Sequence, residues 1–167
     1  MLYRPVRAAL RLSGLRGWTI SQGCELESEL NQWHSLPVRV YYEDTDAQGV
    51  VYFANYLRFM ERGRTEWLRA HGIEQDSLMR DENLCFSLID TNIRFIRPAR
   101  FNDLLMVQTR VLSTRGARVA FEQAIHKDTS DGELLASATC DAASLAVDTF
   151  KPRRLPPGLL DKLAGQA

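Results

Sequence analysis

Three carboxylates lie within residues 43–46, the densest group of chemically active side chains in the sequence. A carboxylate can attack a carbonyl carbon or take a proton from water. An Asp-Thr-Asp sequence by itself is usually a solvated turn or a helix cap, so its surroundings decide between the two interpretations. Gly49 adds no side-chain bulk, and the helix expected to follow offers backbone N–H groups without intrahelical acceptors. Such groups suit a developing oxyanion.

The elements around these carboxylates can be predicted from residue type and spacing. Residues 38–43 are rich in β-branched and aromatic side chains, which favours a strand. Apolar residues at helical spacing predict one long helix over 55–71, closed by Gly72, and a short helix over 74–80 follows. Gly63 is unfavourable inside a helix, so we expect it to mark close approach to a sheet.

The second half of the chain changes to a period of two, which predicts strands joined by tight turns. The predicted strands cover residues 84–96, 104–113, 118–127 and 134–147. The alanine-rich segment 134–147 would also suit a helix, and we interpret it as a strand. The result is an α+β fold in which a five-stranded antiparallel sheet wraps one long helix. One helix cannot cover the whole sheet, so we expect a second subunit to pair through its edge or face.

Composition limits the classes of function. The chain has 167 residues and 45% apolar content, enough for one domain of ordinary size. Its 21 basic and 21 acidic residues cancel, which argues against general attraction to nucleic acid. No apolar run is long enough for a transmembrane segment. Cys24, Cys85 and Cys140 are far apart, which predicts neither a disulfide framework nor a metal site and fits a cytoplasmic location.

Both ends of the chain differ from the central segment. We predict an N-terminal extension over 1–36, loosely ordered or a short helix, the main domain over 37–156, and a C-terminal tail over 157–167 with a short helix. Residues 1–23 contain four arginines and no acid, and are too broken for a secretory signal. Three interpretations remain: an amphipathic transit-like or membrane-surface segment, a family-specific extension, or a loose leader from an upstream start codon.

The order of strand, Asp-Thr-Asp, Gly-Val-Val-Tyr and helix over residues 38–69 resembles the 4-hydroxybenzoyl-CoA thioesterase family, particularly its branch of acyl-CoA thioesterases associated with the Tol-Pal system. The likeness covers about residues 37–156. It implies a hotdog fold, a homodimer or homotetramer, and hydrolysis of short- to medium-chain acyl-CoA, or of an acyl carrier protein thioester, to free acid and thiol. No metal or organic cofactor is implied.

The resemblance also implies functional roles for individual residues. Asp46 is the catalytic carboxylate, as nucleophile or as general base, and the main-chain N–H groups of Phe53 and Ala54 are the oxyanion donors. Relatives usually carry histidine where this sequence has Phe53, which weakens a histidine-assisted mechanism and favours a more apolar acyl group. Tyr52 is a candidate to line the acyl site, and Asn55 either caps the helix or contacts substrate.

CoA requires cations for its phosphates, and arginine matches those oxygens well. Arg115 and Arg118 flank a predicted turn. Lys151, Arg153 and Arg154 form a tight basic cluster after the last strand. These five residues are the candidates for phosphate binding, and ordinary exposed charge is the alternative for each of them.

Two other functions compete with hydrolysis. The first is a non-catalytic module of an envelope-associated assembly that binds acyl groups or acyl carrier protein; such a module has no need to bury a carboxylate beside a thioester. The second is a hydroxyacyl dehydratase, which would need a histidine paired with an acid. His34, His71 and His126 have no Gly-x-Ser-x-Gly motif to serve, so a serine hydrolase is not predicted.

Overall fold

The computed structural model describes residues 33–163. The elements in chain order are β1 His34–Arg39, a 3-10 turn Tyr42–Asp44, α1 Phe53–Ala70, α2 Gln75–Asp81, β2 Leu84–Phe95, β3 Leu104–Arg115, β4 Arg118–Lys127, β5 Leu134–Ala146 and α3 Pro157–Leu163. The predictions for residues 1–32 and 164–167 lie outside the described residues.

The five strands form one antiparallel sheet in the order β1-β3-β4-β5-β2. The predicted α+β architecture, with one long helix and a five-stranded antiparallel sheet, is therefore confirmed. The alanine-rich segment that would also have suited a helix is strand β5, which pairs with β4 on one side and β2 on the other. Because β5 is an interior strand, its small side chains are mostly buried.

The first strand differs from its prediction, because it covers His34–Arg39 instead of residues 38–43. The Asp44 carboxylate accepts the Tyr41 N–H at 2.8 Å, and the backbone turns into the 3-10 conformation. Aromatic content alone predicted a strand at this point, and a local side-chain hydrogen bond overrides that preference. Strand β1 also begins before residue 37, where the main domain was predicted to start.

The long helix packs closely on the sheet at Gly63. A Cβ atom at this position would lie 2.8 Å from Thr109 Oγ1 and 2.9 Å from Val107 Cγ1, both on β3. Real Cβ contacts are longer than this, so only glycine fits without displacement of the strand. The prediction that Gly63 marks close approach to a sheet is confirmed.

The helix leaves part of the sheet open. α1 lies against β3 and β1, whereas β2 forms the opposite edge. Leu88 and Ile89 on β2 are 45% and 48% exposed, so this long edge strand carries apolar surface in the single chain. Among residues 33–163, no helix combines the length and the apolar character that a membrane crossing requires.

Candidate active site

The two aspartates of the Asp-Thr-Asp segment have different environments. Asp44 is buried, its carboxylate accepts the Tyr41 N–H, and its carbonyl oxygen accepts the Tyr52 N–H at 2.9 Å. The side-chain amide of Asn55 donates to the same carbonyl at 3.0 Å. All these bonds lie within the loop or join it to the start of α1. Asp44 therefore supports the loop and is not available to a substrate.

Asp46 is only partly buried, and it lies in a tight turn. Its N–H donates to the Val50 carbonyl at 2.9 Å, its carbonyl accepts the Gly49 N–H at 3.0 Å, and its Oδ1 accepts the Gln48 N–H at 2.8 Å. Within residues 33–163 this is the one hydrogen bond to its side chain, and it leaves Oδ2 available. Gly49 has a φ of +74°, a left-handed conformation that glycine adopts without strain. The turn thus orients the Asp46 carboxylate, for which the sequence predicts the catalytic role.

The N-terminus of α1 lies directly behind this turn. Thr45 pairs with Val51 in an isolated β-bridge, and the Val51 N–H donates to the Ala99 carbonyl at 2.8 Å. The helix begins at Phe53, and no side chain caps it. The first N–H groups of a helix have no intrahelical acceptors, so those of Phe53 and Ala54 are free to meet an oxyanion.

Asn55 was considered either as a helix cap or as a substrate contact. Its side chain is 7% exposed and bonds to the Asp44 carbonyl, and its own N–H donates to the Tyr52 carbonyl at 2.8 Å. It lies inside the first turn of α1, where a cap residue does not lie. The structure therefore assigns Asn55 to the support of the loop.

A groove of about 280 Å³ opens beside the helix N-terminus. We call it the helix-terminal groove, and its lining consists of Val51, Phe53, Tyr56, Phe95, Ile96, Arg97 and Pro98. Phe53 is 58% exposed, and its ring lies 6.5 Å from the Phe95 ring in an edge-to-face contact. Six of these seven residues are apolar or aromatic, so the groove suits an apolar group next to the N–H groups at the α1 N-terminus.

The aromatic residues near the groove and farther along α1 have different structural roles. The Tyr56 hydroxyl is buried and accepts the Ala99 N–H at 2.9 Å, and burial raises the pKa of this phenol. Tyr52 is exposed beside Phe53, with ring centroids 4.6 Å apart. Trp67, farther along α1, is a core residue stacked on His71, with ring centroids 3.8 Å apart.

The five candidate cations gather at one end of the sheet. Arg115 and Arg118 face each other across the β3–β4 turn. The Leu155 N–H donates to the Gly116 carbonyl at 3.2 Å, which fixes the C-terminal segment against that turn. Lys151 and Arg154 are exposed in this segment.

Arg153 is engaged differently from its neighbours. Its guanidinium donates to the carbonyl oxygens of Glu82 and Asn83, in the connection between α2 and β2. Its backbone N–H donates to the Ser144 carbonyl at 2.9 Å. Arg153 therefore anchors the C-terminal segment, which leaves Lys151 and Arg154 as the more available cations of that cluster.

This basic end and the Asp46 loop lie at opposite ends of the molecule. On β5, Ala146 pairs with Leu84 near the basic end, and Ala136 pairs with Phe95 beside the helix-terminal groove. The ten residue steps from Ala136 to Ala146 span about 30 Å at the usual rise of a strand. One chain alone therefore does not bring the predicted cations and Asp46 together.

Sequence reasoning missed two parts of the site region. Phe95, Ile96 and Arg97 line the groove although they lie far from Asp46 in the sequence. The second is Arg64, whose Nη1 donates to Gln123 Oε1 at 2.7 Å beneath α1. An arginine at a position expected to face the sheet is the signal that could have identified Arg64. No comparable sequence signal marks the groove residues.

Solved structures share this architecture. A variant of 4-hydroxybenzoyl-CoA thioesterase in complex with 4-hydroxybenzoyl-CoA superposes with a TM-score of 0.71 over 78% of this chain and 98% of its own, at 16% identity. At that identity the likeness establishes the fold alone, which is the hotdog fold expected from the sequence. A probable thioesterase from Bartonella henselae superposes with a TM-score of 0.69 at 39% identity, covering 75% of this chain and all of its own.

The family model described as the Thioesterase-like superfamily matches residues 40–163, and the chain belongs to that superfamily. An acyl-CoA thioesterase, YbgC, from Haemophilus influenzae is 42% identical over 127 residues, which cover 76% of this chain and 91% of that protein. An acyl-CoA thioester hydrolase, YbgC, from Escherichia coli is 40% identical over 135 residues, which cover 81% and 96% respectively. The predicted family resemblance is confirmed.

Proposed function

We propose that this protein hydrolyses acyl-CoA thioesters of short to medium chain length to the free acid and CoA. The observation that carries the proposal is Asp46, oriented through Oδ1 by the Gln48 N–H in a loop bonded to the N-terminus of α1. The names of the Haemophilus and Escherichia relatives support the same reaction. The preferred acyl chain length is one target of the test.

The oxyanion donors define how the thioester would lie. Its carbonyl oxygen accepts the N–H groups of Phe53 and Ala54, where the positive end of the helix dipole stabilises negative charge. These donors belong to the main chain, so they do not depend on the side chain at position 53. The acyl group then lies in the helix-terminal groove, against Phe53 and Phe95.

Asp46 can complete the reaction in two ways. As a nucleophile, its oxygen attacks the carbonyl carbon, the C–S bond breaks, and the thiolate leaves; water then hydrolyses the resulting anhydride to acid and free aspartate. As a general base, it takes a proton from water, which attacks the carbonyl directly. Both routes consume one water molecule and release one thiol and one acid.

The separation of Asp46 from the basic end is the basis for a homodimer in the proposal. If two copies pair antiparallel through their β2 edges, the Leu84 end of one β2 lies beside the Phe95 end of the other. The partner's Lys151 and Arg154 would then approach the thioester site of this chain. The exposed apolar residues of the β2 edge support this pairing, and a tetramer of two such dimers is compatible with it.

The cytoplasm is the proposed location, because it holds CoA and keeps thiols reduced. Cys85 and Cys140 are free in the described part of the chain. An acyl carrier protein thioester carries the same bond on a phosphopantetheine arm, so it is a second possible substrate to be measured beside CoA.

The test measures thiol release from acyl-CoAs of two to sixteen carbons, and from one acyl carrier protein thioester, by the wild type and two variants. Asp46→Asn keeps the side-chain volume and loses the ionised oxygen, so kcat is expected to fall by roughly 10²- to 10⁴-fold. Glu43→Gln is the matched control, because Glu43 is exposed and lies in the same acidic segment. Wild-type binding without thiol release would refute hydrolysis and support a binding module. Asn-variant activity within about threefold of wild type would refute the assignment of Asp46.

A further inference from the structure

A second cavity lies farther along α1, away from the Asp46 loop. It has a volume of about 150 Å³ and opens between α1, the first residues of α2, and strands β2 and β4. We call it the Arg64 pocket; its lining includes Arg64, Thr65, Gln75, Phe86, Leu88 and Phe121. Arg64 follows Phe53 by eleven residues, about 16 Å along a helix. The pocket is therefore distinct from the helix-terminal groove.

The Arg64 side chain is held in place by buried neutral groups. Its Nη1 donates to Gln123 Oε1 at 2.7 Å. Gln123 is fully buried, and its Nε2 donates to the Met60 carbonyl and to Thr109 Oγ1, each at 2.8 Å. These two bonds fix the orientation of the Gln123 amide, so its oxygen faces the guanidinium. The position of Arg64 is thus determined by a network that reaches into the core.

Within residues 33–163 no carboxylate lies at ion-pair distance from Arg64, and the Glu61 charge acts on it only from farther away. None of the ion pairs in that part of the chain includes Arg64. Burial lowers the pKa of Arg64, which records the loss of hydration that the charge undergoes. A partly buried charge whose hydrogen-bond partners are all neutral is costly to the fold. An anion entering the pocket would offset that cost.

The other polar groups of the pocket are already paired with one another. Gln75 Nε2 donates to Thr65 Oγ1, and the Thr65 hydroxyl donates to Glu61 Oε1, both at 2.9 Å. Glu61 also lines the pocket, but its side chain is exposed and solvent screens its charge. Phe86, Leu88 and Phe121 supply an apolar wall opposite. A guanidinium beside an apolar wall matches a ligand with one carboxylate and a short hydrocarbon part.

We propose that the Arg64 pocket binds a carboxylate, with the guanidinium of Arg64 as its principal ligand. The carboxylate can belong to a free carboxylic acid or to the far end of an acyl chain whose thioester lies at the α1 N-terminus. The second source rests on the proposed thioesterase function, and the first does not.

The binding test uses butyrate, with butyramide as its neutral counterpart of similar size. The NMR signal of the Arg64 Nε–H group, and the neighbouring amide signals, are followed during titration of the full-length protein. Butyrate is expected to produce a saturable shift, and butyramide none. Arg64→Met is expected to weaken butyrate binding at least tenfold. Arg62→Met is the matched control, because it removes an exposed cation from the same helix, and it is expected to bind as the wild type does.

If Arg64→Met fails to fold, Arg64→Lys replaces it as the test variant. Lysine keeps the charge and can reach Gln123, but it lacks the planar fork that matches a carboxylate. At least threefold weaker binding is expected for this variant. Equal binding of butyrate and butyramide, no saturable shift with butyrate, or wild-type affinity in both Arg64 variants would overturn the proposal.

The source of the carboxylate is distinguished by kinetics. The ratio of kcat/KM for dodecanedioyl-CoA to that for dodecanoyl-CoA is measured in the wild type and in Arg64→Met. A ratio at least tenfold lower in the variant assigns the pocket to the acyl chain, whereas an unchanged ratio with lost butyrate binding assigns it to a free acid. Absence of thiol release from both substrates would count against the proposed hydrolysis and leave the butyrate result valid.

Discussion

The carbonyl oxygen of Asp44 accepts the side-chain amide of Asn55 at 3.0 Å, across eleven positions of sequence. This buried bond joins the loop that carries Asp46 to the first turn of α1, where the proposed oxyanion donors lie. The distance between the Asp46 carboxylate and these N–H groups therefore depends on Asn55, which does not bond to Asp46. Asn55 is a positioning residue in this arrangement.

Replacement of Asn55 by alanine tests this positioning role. The Asp44 carbonyl keeps its bond to the Tyr52 N–H, so the stability loss should be about 1 kcal/mol. We expect kcat to fall roughly tenfold, less than in Asp46→Asn, because a loosened loop misplaces the carboxylate without removing it. Asn55→Asp, whose oxygen would meet the Asp44 carbonyl, should be at least as impaired as alanine. Steady-state kinetics together with thermal melting separate the two effects; normal kcat in both variants would contradict the assignment.

The close contact at Gly63 leads to a prediction about stability. A Cβ at this position would press on Thr109 and Val107, so Gly63→Ala should lower the free energy of unfolding by about 1 to 3 kcal/mol despite the better helix propensity of alanine. Gly158→Ala is the control, since Gly158 lies in helix α3 and an added Cβ there meets no atom within 4 Å. It should be neutral or slightly stabilising. Urea unfolding measures the difference in free energy of unfolding between the two variants. Equal midpoints would show that the side chains of Thr109 and Val107 move aside to accept the added Cβ.

His34 predicts how stability depends on pH. Burial lowers the pKa of His34 below the ordinary value of about 6.5, the nearby His71 lowers it further, and Glu66 opposes both. The unfolded chain then binds a proton at higher pH than the folded chain, so this contribution is present above about pH 6.5 and is lost as pH falls toward the folded pKa. The buried Nδ1 of His34 has no hydrogen-bond partner, which agrees with a neutral ring.

Melting temperatures between pH 5 and 8 test this effect in the wild type and in His34→Asn. We expect the wild type to lose more stability than the variant between pH 7 and 5. His126→Asn serves as the control, because its ring bonds to the Gly132 carbonyl at a distant site. Parallel curves for the wild type and His34→Asn would remove His34 as the cause.

Local pattern predicted most of the fold, and tertiary context explains the remainder. The strands of period two and the helix around Gly63 could be identified because each pattern lies within one element. The strand predicted through Tyr41 was wrong because the Asp44 carboxylate, three residues later, accepts the Tyr41 N–H group and turns the backbone. Asp46 and the N–H group of Phe53 could be proposed as site groups because they belong to one contiguous motif. The surroundings of Arg64 could not be predicted in the same way, because its hydrogen-bond partner Gln123 lies 59 positions away.

The placement of the basic residues was also beyond sequence reasoning. Arg118 and Lys151 are separated in sequence, and the strand order β1-β3-β4-β5-β2 decides which end of the sheet receives them. That order places them at the end of the sheet opposite the Asp46 loop, a span of about 30 Å along β5. The sequence predicted a phosphate site and a second subunit as separate features, whereas in the proposed dimer the first depends on the second.

The dimer and the phosphate contacts can be tested together by mixing subunits. In the proposed dimer, each site combines Asp46 of one chain with Lys151 and Arg154 of the other. Lys151→Ala/Arg154→Ala should raise KM for acyl-CoA with little change in kcat, because phosphate binding is the same in the ground and transition states. Each lost contact should cost about 1 to 2 kcal/mol, less where solvent screens it. A pantetheine thioester, which lacks the nucleotide phosphates, should show no such rise.

Mixing this double variant with Asp46→Asn then decides which chain supplies the cations. If the cations come from the partner chain, a mixed dimer has one complete site, with Asp46 from one chain and both cations from the other. Its second site has neither Asp46 nor the cations. Activity at low acyl-CoA concentration should therefore rise above that of either variant alone after co-refolding. If Asp46 and its cations belong to the same chain, every site lacks one of them, and mixing should give only the average of the two parents. Arg153 is left unchanged throughout, because its bonds to Glu82 and Asn83 support the C-terminal segment. Average activity, with mixed dimers demonstrated by mass spectrometry, would refute the shared site.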